Sequence, residues 1–327
     1  MTAGGDPMNY ALIFPGQGAQ EVGMGRGLFD CHPEAREVFE KADEALGYSL
    51  SRIIFHGPEE ELTRTENAQP AILAVSIATK AVLEQEIGIP LAPHLVAGHS
   101  LGEYTALVAA RTLTLEDGVR LVHLRGKWMQ EAVPLGQGSM AAILGLDPDH
   151  VEEACKEASM DQVCSPANFN APGQVVISGH TEAVARAVEI ARRMGARRAI
   201  PLKVSAPFHC SLMEPVADRL YEAFSECSWS PPAYPLVNNV SATVIHTTED
   251  IRQALRKQTF SPVRWLESVR EIEKSGISHF MEIGPGNVLS GLVRKGCKDA
   301  VTYDTSTDEN LSKLVASLRG KEVGTVG

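Results

Sequence analysis

Short continuous apolar runs alternate with stretches whose apolar residues recur every three to four positions. Residues 10–14 form an apolar run of strand length, cut off by Pro15-Gly16-Gln17-Gly18, a breaker cluster that predicts a loop. Residues 33–46 carry helical spacing with Pro33 suited to a first turn. Residues 69–86 predict a longer helix, with Pro70 in its first turn and Gly88-Ile89-Pro90 closing it. A brief apolar strand follows at 94–97, then an apolar helix at 104–110 and a helix at 115–132 for which Thr114 is the cap.

The stretch 139–204 has its own rhythm. Its pattern predicts strands at 140–146, 162–168, 174–178 and 198–204, with helices at 147–159 and 181–194. Asp147 and Pro148 suit the start of the first helix, Gly195 ends the second, and Asn170-Ala171-Pro172-Gly173 is a turn between the middle strands. This order, β-α-β-β-α-β, is the ferredoxin-like arrangement. Beyond it the pattern predicts helices at 212–224, 250–260 and 262–274 and strands at 234–238 and 279–283. The last strand ends at Gly284-Pro285-Gly286 before a short helix. Strands alternating with helices imply a mainly parallel sheet covered on both faces. The expected architecture is α/β: a large discontinuous domain, residues 1–136 and 206–327, interrupted by a small subdomain at 137–205.

Composition narrows the function. The 327 residues carry a net charge of −11, which argues against general nucleic-acid binding, since that depends on basic groups meeting phosphates. The six cysteines form no CxxC pair and no Cys/His cluster with zinc spacing, so reduced thiols in a cytoplasmic protein and no metal are expected. Met1–Tyr10 lacks a basic segment followed by an apolar run. It reads as a loose tail through Gly4-Gly5-Asp6-Pro7, with Met8 an alternative start. The apolar run 71–82 is broken by Lys80 and too short to span a bilayer, so no membrane partner is expected. The C terminus after Arg319 reads as frayed.

Candidate chemistry centres on Gly98-His99-Ser100-Leu101-Gly102, a G-x-S-x-G string between a predicted strand and a predicted helix. Small flanking residues allow a strained turn that projects the serine at a helix N-terminus, where the dipole favours an oxyanion. A serine in an ordinary helix-start turn would give the same string. The nucleophile needs a base, and the downstream histidines are His123, His150, His180, His209, His246 and His279. His209 has the best placement, in a predicted loop where the chain re-enters the large domain; the others remain open.

Several strings together resemble one family. These are Phe14-Pro15-Gly16-Gln17-Gly18-Ala19-Gln20, Gly98-His99-Ser100-Leu101-Gly102-Glu103-Tyr104, Arg125-Gly126-Lys127-Trp128-Met129-Gln130 and Ser205-Ala206-Pro207-Phe208-His209. With Asn168-Phe169-Asn170-Ala171-Pro172-Gly173-Gln174 and Ile283-Gly284-Pro285-Gly286, they resemble the malonyl-CoA:acyl carrier protein transacylase family in order along nearly the whole chain. The resemblance implies an α/β-hydrolase-like large domain with a ferredoxin-like insert. It implies that Ser100 is the nucleophile and His209 its base, oriented by the backbone carbonyl of Gln258 where a triad would use an Asp. Arg125 would bind the malonyl carboxylate, and the N–H groups of Gln17 and Leu101 would form the oxyanion hole. Phe208 before the histidine would accompany malonyl over larger units.

Each role has a plainer rival: a solvated helical arginine at 125, a loop residue at Gln17, packing at His99 and Met129, turn hydrogen bonds at Asn168 and Asn170. The implied reaction is malonyl transfer to the carrier's phosphopantetheine thiol by a ping-pong cycle, without a cofactor, supplying fatty acid synthesis in a cytoplasmic, monomeric enzyme. Coenzyme A enters only as the malonyl-CoA substrate. Arg192, Arg193, Arg197, Arg198 and Lys203 form a basic cluster that could receive an acidic carrier protein, or a solvated helix end. Two enzymatic rivals share the elbow: a serine thioesterase or esterase, and a discrete acyltransferase of polyketide synthesis. The first usually has a triad acid and an HGGG-type loop, and neither stands out here. A non-catalytic carrier-binding scaffold is the third class, which the intact Ser100, Arg125 and His209 disfavour.

Overall fold

A computed structural model describes residues 9–204 and 206–322, the last three by their backbone alone. The tail through Gly4-Gly5-Asp6-Pro7 and Met8, and Ser205, lie outside the described residues. So does the C terminus beyond Glu322; the final helix, Asp308–Glu322, continues past Arg319.

Among the described residues ten strands form two sheets. They are β1 (Tyr10–Phe14), β2 (Leu95–Gly98), β3 (Gly138–Leu144), β4 (Cys164–Ala171), β5 (Gln174–His180), β6 (Arg198–Pro201), β7 (Leu236–Val237), β8 (Val244–Ile245), β9 (His279–Glu282) and β10 (Val301–Asp304). The larger sheet has the order β10-β9-β1-β2-β7-β8, parallel throughout except for β8. Every residue of β1 and β2 is buried, as a strand covered by helices on both faces must be. Chain order runs from β1 to β2 and β7 on one side, then returns to β9 on the other, so β1 is where the winding reverses. Ligands of open α/β sheets bind outside the carboxyl ends of strands at such a point. Phe14 pairs with Gly98, so the loops leaving β1 and β2 emerge side by side there.

The smaller sheet, β4-β5-β3-β6, is antiparallel and carries the helices Pro148–Ser159 and Thr181–Arg193 on one core of its own. That is the ferredoxin-like order expected from the pattern. β4 is tied to the larger domain through Val263, which precedes the helix Trp265–Lys274: Phe169 N–H donates to the Val263 carbonyl at 2.9 Å and Val263 N–H to the Ala167 carbonyl at 2.8 Å. Bulges at Pro166/Asn168 and Phe169/Ala171 carry the strand past this junction, which is why β4 extends to Ala171 and the turn shrinks to Pro172-Gly173.

The long helix spans Thr65–Ile87, so Pro70 lies inside it and not in its first turn. A proline there leaves the carbonyl four residues back without its helical donor. That carbonyl, of Glu66, lies 3.0 Å from the ring Nδ1 of His123, on the helix Leu115–Glu131. Gly126 completes the fit, since a Cβ at that position would lie 2.4 Å from the Thr65 carbonyl oxygen. The same helix starts at the expected cap, Thr114, whose hydroxyl accepts the Asp117 N–H at 3.0 Å. The helices Arg26–Cys31, Leu50–His56, Glu59–Thr63 and Asp308–Glu322, and the strands β8 and β10, were not expected. Most are too short for periodicity to register.

Candidate active site

The site forms where β2 turns into the helix Leu101–Ala109. Ser100 sits between them at φ 54°, ψ −108°, a conformation that costs a non-glycine residue about 1–3 kcal/mol. Two glycines make the turn sterically possible. A Cβ at Gly98 would lie 1.9 Å from the Gly102 carbonyl oxygen, and one at Gly102 would lie 2.2 Å from that of Phe14.

Hydrogen bonds from distant segments hold the strained turn. Asn239 accepts the Ser100 N–H at 2.8 Å on Oδ1 and donates from Nδ2 to the Gly98 carbonyl at 2.8 Å. Gln258 Nε2 donates to the Ser100 carbonyl at 2.9 Å. The strain is therefore set against three bonds in a buried setting, each worth about 0.5–1.5 kcal/mol net.

His209 reaches this turn from the other side of the sequence. Its Nε2 lies 2.8 Å from Ser100 Oγ, and its Nδ1 lies 2.8 Å from the backbone carbonyl of Gln258. A carbonyl only accepts, so Nδ1 carries the proton and Nε2 offers its lone pair to the serine hydroxyl. Burial, aided by the nearby Arg125 charge, pushes the His209 pKa down to about 3. The imidazole is thus neutral where an exposed histidine, near pH 6.5, would be charging. Sulfonylation of Ser100 by a small sulfonyl fluoride, which needs a base and no carboxylate partner, is expected to keep its rate from pH 8 down to about 5.5. An inactivation rate that falls through a midpoint near 6.5 would mean that His209 titrates as an exposed group.

Arg125 is 1% exposed, not the solvated helical arginine of the plainer reading. Its Nη1 donates to Gln69 Oε1 at 2.7 Å, and its Nη2 to Ser100 Oγ at 2.9 Å and Gln258 Oε1 at 3.0 Å. The guanidinium carbon sits 5.5 Å from the centre of the Tyr104 ring. Among the described residues no carboxylate forms an ion pair with it, and burial lowers its pKa.

These groups open onto a cavity of about 370 Å³ whose wall includes Gln17, His99, Ser100, Arg125, Asn168, Lys203, Phe208 and His209. Gln17 follows Gly16, where a Cβ would lie 2.6 Å from the His99 carbonyl oxygen, so this loop lies against the elbow. Leu101 is the first residue of its helix, and its N–H has no acceptor within the helix. His99 does more than pack: its Nε2 lies 2.8 Å from Asn170 Oδ1, while its ring meets Trp265 at 5.7 Å. The bulged β4 thus sends Asn168 to the cavity and Asn170 to His99. Phe208 joins Met129 and Met140 in one apolar cluster. His123, His150, His180, His246 and His279 are absent from the cavity wall.

Gln69, Asn239 and the carboxylate of Glu103 were not singled out by the sequence. Asn238-Asn239 directly after a buried apolar strand was the available signal for one of them: polar side chains at the carboxyl end of a central strand. Among the described residues no group of His, Cys, Asp and Glu could hold a metal ion, and no helix is long and apolar enough to cross a membrane.

Comparison with known proteins adds an independent line. The acyl transferase domain family matches residues 11–320. The malonyl CoA-acyl carrier protein transacylase of Escherichia coli K12 is 48% identical over 286 residues, 88% of this chain and 92% of that protein. The enzyme of the same name from Bacillus subtilis 168 is 46% identical over 310 residues, covering 94% and 97%. The solved malonyl CoA-acyl carrier protein transacylase of Coxiella burnetii superposes with a TM-score of 0.92 at 42% identity, covering 96% of this chain and 98% of that one. A type II polyketide synthase acyl-carrier protein in complex with its malonyl-transacylase gives a TM-score of 0.91 at 45% identity, covering 94% and 99%.

Proposed function

The chain belongs to the acyl transferase domain family, among the malonyl CoA-acyl carrier protein transacylases. From that premise we propose that it moves a malonyl group from coenzyme A to the phosphopantetheine thiol of an acyl carrier protein, supplying fatty acid synthesis. The observation that carries this reading is Arg125, a buried guanidinium without a carboxylate partner, 2.9 Å from the serine hydroxyl. A buried charge is costly unless paired. An acyl group that ends in a carboxylate supplies the missing partner, and a guanidinium fork meets a carboxylate bidentately.

The cycle has two symmetric halves. His209 takes the Ser100 proton as the hydroxyl attacks the malonyl thioester, and the Gln258 carbonyl holds the imidazolium in place. The N–H groups of Gln17 and Leu101 receive the developing oxyanion. His209 then returns the proton to the departing coenzyme A thiolate, leaving a malonyl ester on Ser100. The carrier's thiol enters and reverses the steps. One thioester replaces another, so the exchange is close to neutral in energy and needs no cofactor or nucleotide. Residues 137–205 act as a subdomain that closes one wall of the site, and the enzyme works in the cytoplasm. A serine hydrolase fits less well, because His209 is oriented by a carbonyl and Arg125 has no role in water attack.

The basic cluster divides in two. Arg192 bonds Glu189 and the Ala199 carbonyl, and Arg193 pairs with Glu157 at 3.5 Å. Among the described residues Arg197, Arg198 and Lys203 have no acidic partner within ion-pair distance, and Lys203 lies on the cavity wall. We place the carrier's acidic face on these three.

Intact mass spectrometry after brief mixing with malonyl-CoA tests the reading. The expected result is a malonyl adduct on the wild-type enzyme, absent from Ser100→Ala, that persists until carrier is added. Free malonate with no lasting adduct would instead mean a hydrolase. In the same assay Arg197→Glu with Arg198→Glu is expected to raise the KM for carrier about tenfold and leave adduct formation unchanged. Equal effects on both steps would remove the patch from carrier binding.

A further inference from the structure

Glu103 is fully buried in the first turn of the helix after the elbow, and no step above uses it. Its Oε2 accepts the Gln258 Nε2–H at 2.9 Å and the Asn239 N–H at 3.1 Å, while Oε1 has no hydrogen-bond partner among the described residues. At its other end the Gln258 amide accepts Arg125 Nη2 on Oε1 at 3.0 Å. The amide therefore stands between a buried carboxyl group and a buried cation, donor end to the carboxyl oxygen and acceptor end to the guanidinium.

We propose that Glu103 is the positioning residue behind the acyl-group selectivity of this site, acting on Arg125 through the side-chain amide of Gln258. The proposal rests on the malonyl-transfer reading above.

An amide can turn over by a half rotation, and only its partners decide which way it lies. Turned over, Gln258 would set its NH2 against the N–H groups of Arg125 and its oxygen against the Glu103 carboxylate and the Ser100 carbonyl. Both contacts are repulsive. Glu103 and the Ser100 carbonyl are the two acceptors that fix the amide, Glu103 being its side-chain acceptor, and the fixed amide oxygen aims Arg125 at Ser100 Oγ. The arrangement also spares Arg125 a direct ion pair. A guanidinium locked onto a carboxylate would have to break that pair at each turnover before taking up the acyl carboxylate. Across the amide it is coupled to the Glu103 carboxyl without being occupied by it. Burial raises the Glu103 pKa to about 7, against lowering by the Gln258 and Asn239 bonds and the Arg125 charge, so the group is close to half protonated at neutral pH; with the acid proton on Oε1, Oε2 accepts the Gln258 N–H in either state. Tyr104, on the same helix, has its ring centre 5.5 Å from the Arg125 guanidinium carbon.

The test compares kcat/KM for malonyl-CoA and for acetyl-CoA, which lacks the carboxylate. In Glu103→Ala the malonyl-to-acetyl ratio is expected to fall about tenfold, within the range of couplings between residues in one hydrogen-bond network. In Glu103→Gln it is expected to return to within about threefold of wild type, because an amide oxygen still accepts the Gln258 N–H. In an Arg125→Ala background, adding Glu103→Ala is expected to leave the ratio unchanged. If Glu103→Ala does not fold, Glu103→Met, similar in length but without an acceptor, carries the same expectation. A folded variant without the acceptor that keeps the wild-type ratio overturns the proposal. So does a fall of the same size in the Arg125→Ala background, which would place the effect outside Arg125. A wild-type enzyme that forms no malonyl ester would instead overturn the transfer reading itself, before any variant is compared.

Discussion

Replacing His209 by alanine will slow formation of the malonyl ester on Ser100 by about two to four orders of magnitude, the range of general-base catalysis. A serine hydroxyl is a weak nucleophile at neutral pH and needs a base at the moment of attack. His209 is placed for that step: Nε2 is 2.8 Å from the hydroxyl, Nδ1 is fixed by a carbonyl, and the ring is buried and neutral. Among the described residues no other titratable base is hydrogen-bonded to Ser100 Oγ; its remaining partner there is Arg125, a donor. Rapid-quench mass spectrometry of the ester measures the rate, and thermal unfolding checks the fold, since His209 is itself buried. Ester formation in a folded variant at more than a tenth of the wild-type rate would remove His209 from the base role.

The second large effect is on selectivity. Arg125→Ala is expected to lower kcat/KM for malonyl-CoA by about 1.5–3 kcal/mol or more, the worth of a charged hydrogen bond, while acetyl transfer improves relative to malonyl. Arg125→Lys should recover only part of the loss, because an ammonium cannot reproduce the planar fork held by Gln69 and Gln258. The variant also removes one bond to Ser100 Oγ, which malonyl and acetyl transfer share. The ratio between the two acyl groups is therefore the informative quantity. Equal losses for both would mean that Arg125 tunes the serine and does not read the carboxylate.

Much of this site was visible in the chain because its signals are local. Strand, sharp turn and helix around Ser100 occupy consecutive residues, and the small glycines that permit the turn sit within them. The Thr114 cap and the β-α-β-β-α-β rhythm of the small subdomain are likewise patterns of neighbouring positions, set by side-chain periodicity and capping chemistry. The family motifs brought His209, Arg125, Gln17, Leu101 and Gln258 into view as residue types in order, although without the resemblance several histidines stayed open.

What only tertiary structure decided is who touches whom across long stretches of chain. Periodicity could not say that Arg125 would be buried. A helix face with an arginine among apolar residues looks the same whether that face meets water or a cavity, and Gly126 against the Thr65 carbonyl settles it by letting two helices close together. Asn239 clamps the elbow from 139 positions away, and Gln69 reaches Arg125 across 56. Pro70 fell inside a helix because a histidine on a neighbouring helix meets the carbonyl that proline leaves bare. Local preference fixes which conformations a segment tolerates; the pairing of buried polar groups is a property of the whole packed chain. That is why the reactive serine could be found by reading along the sequence, while the network that aims Arg125 at it could not.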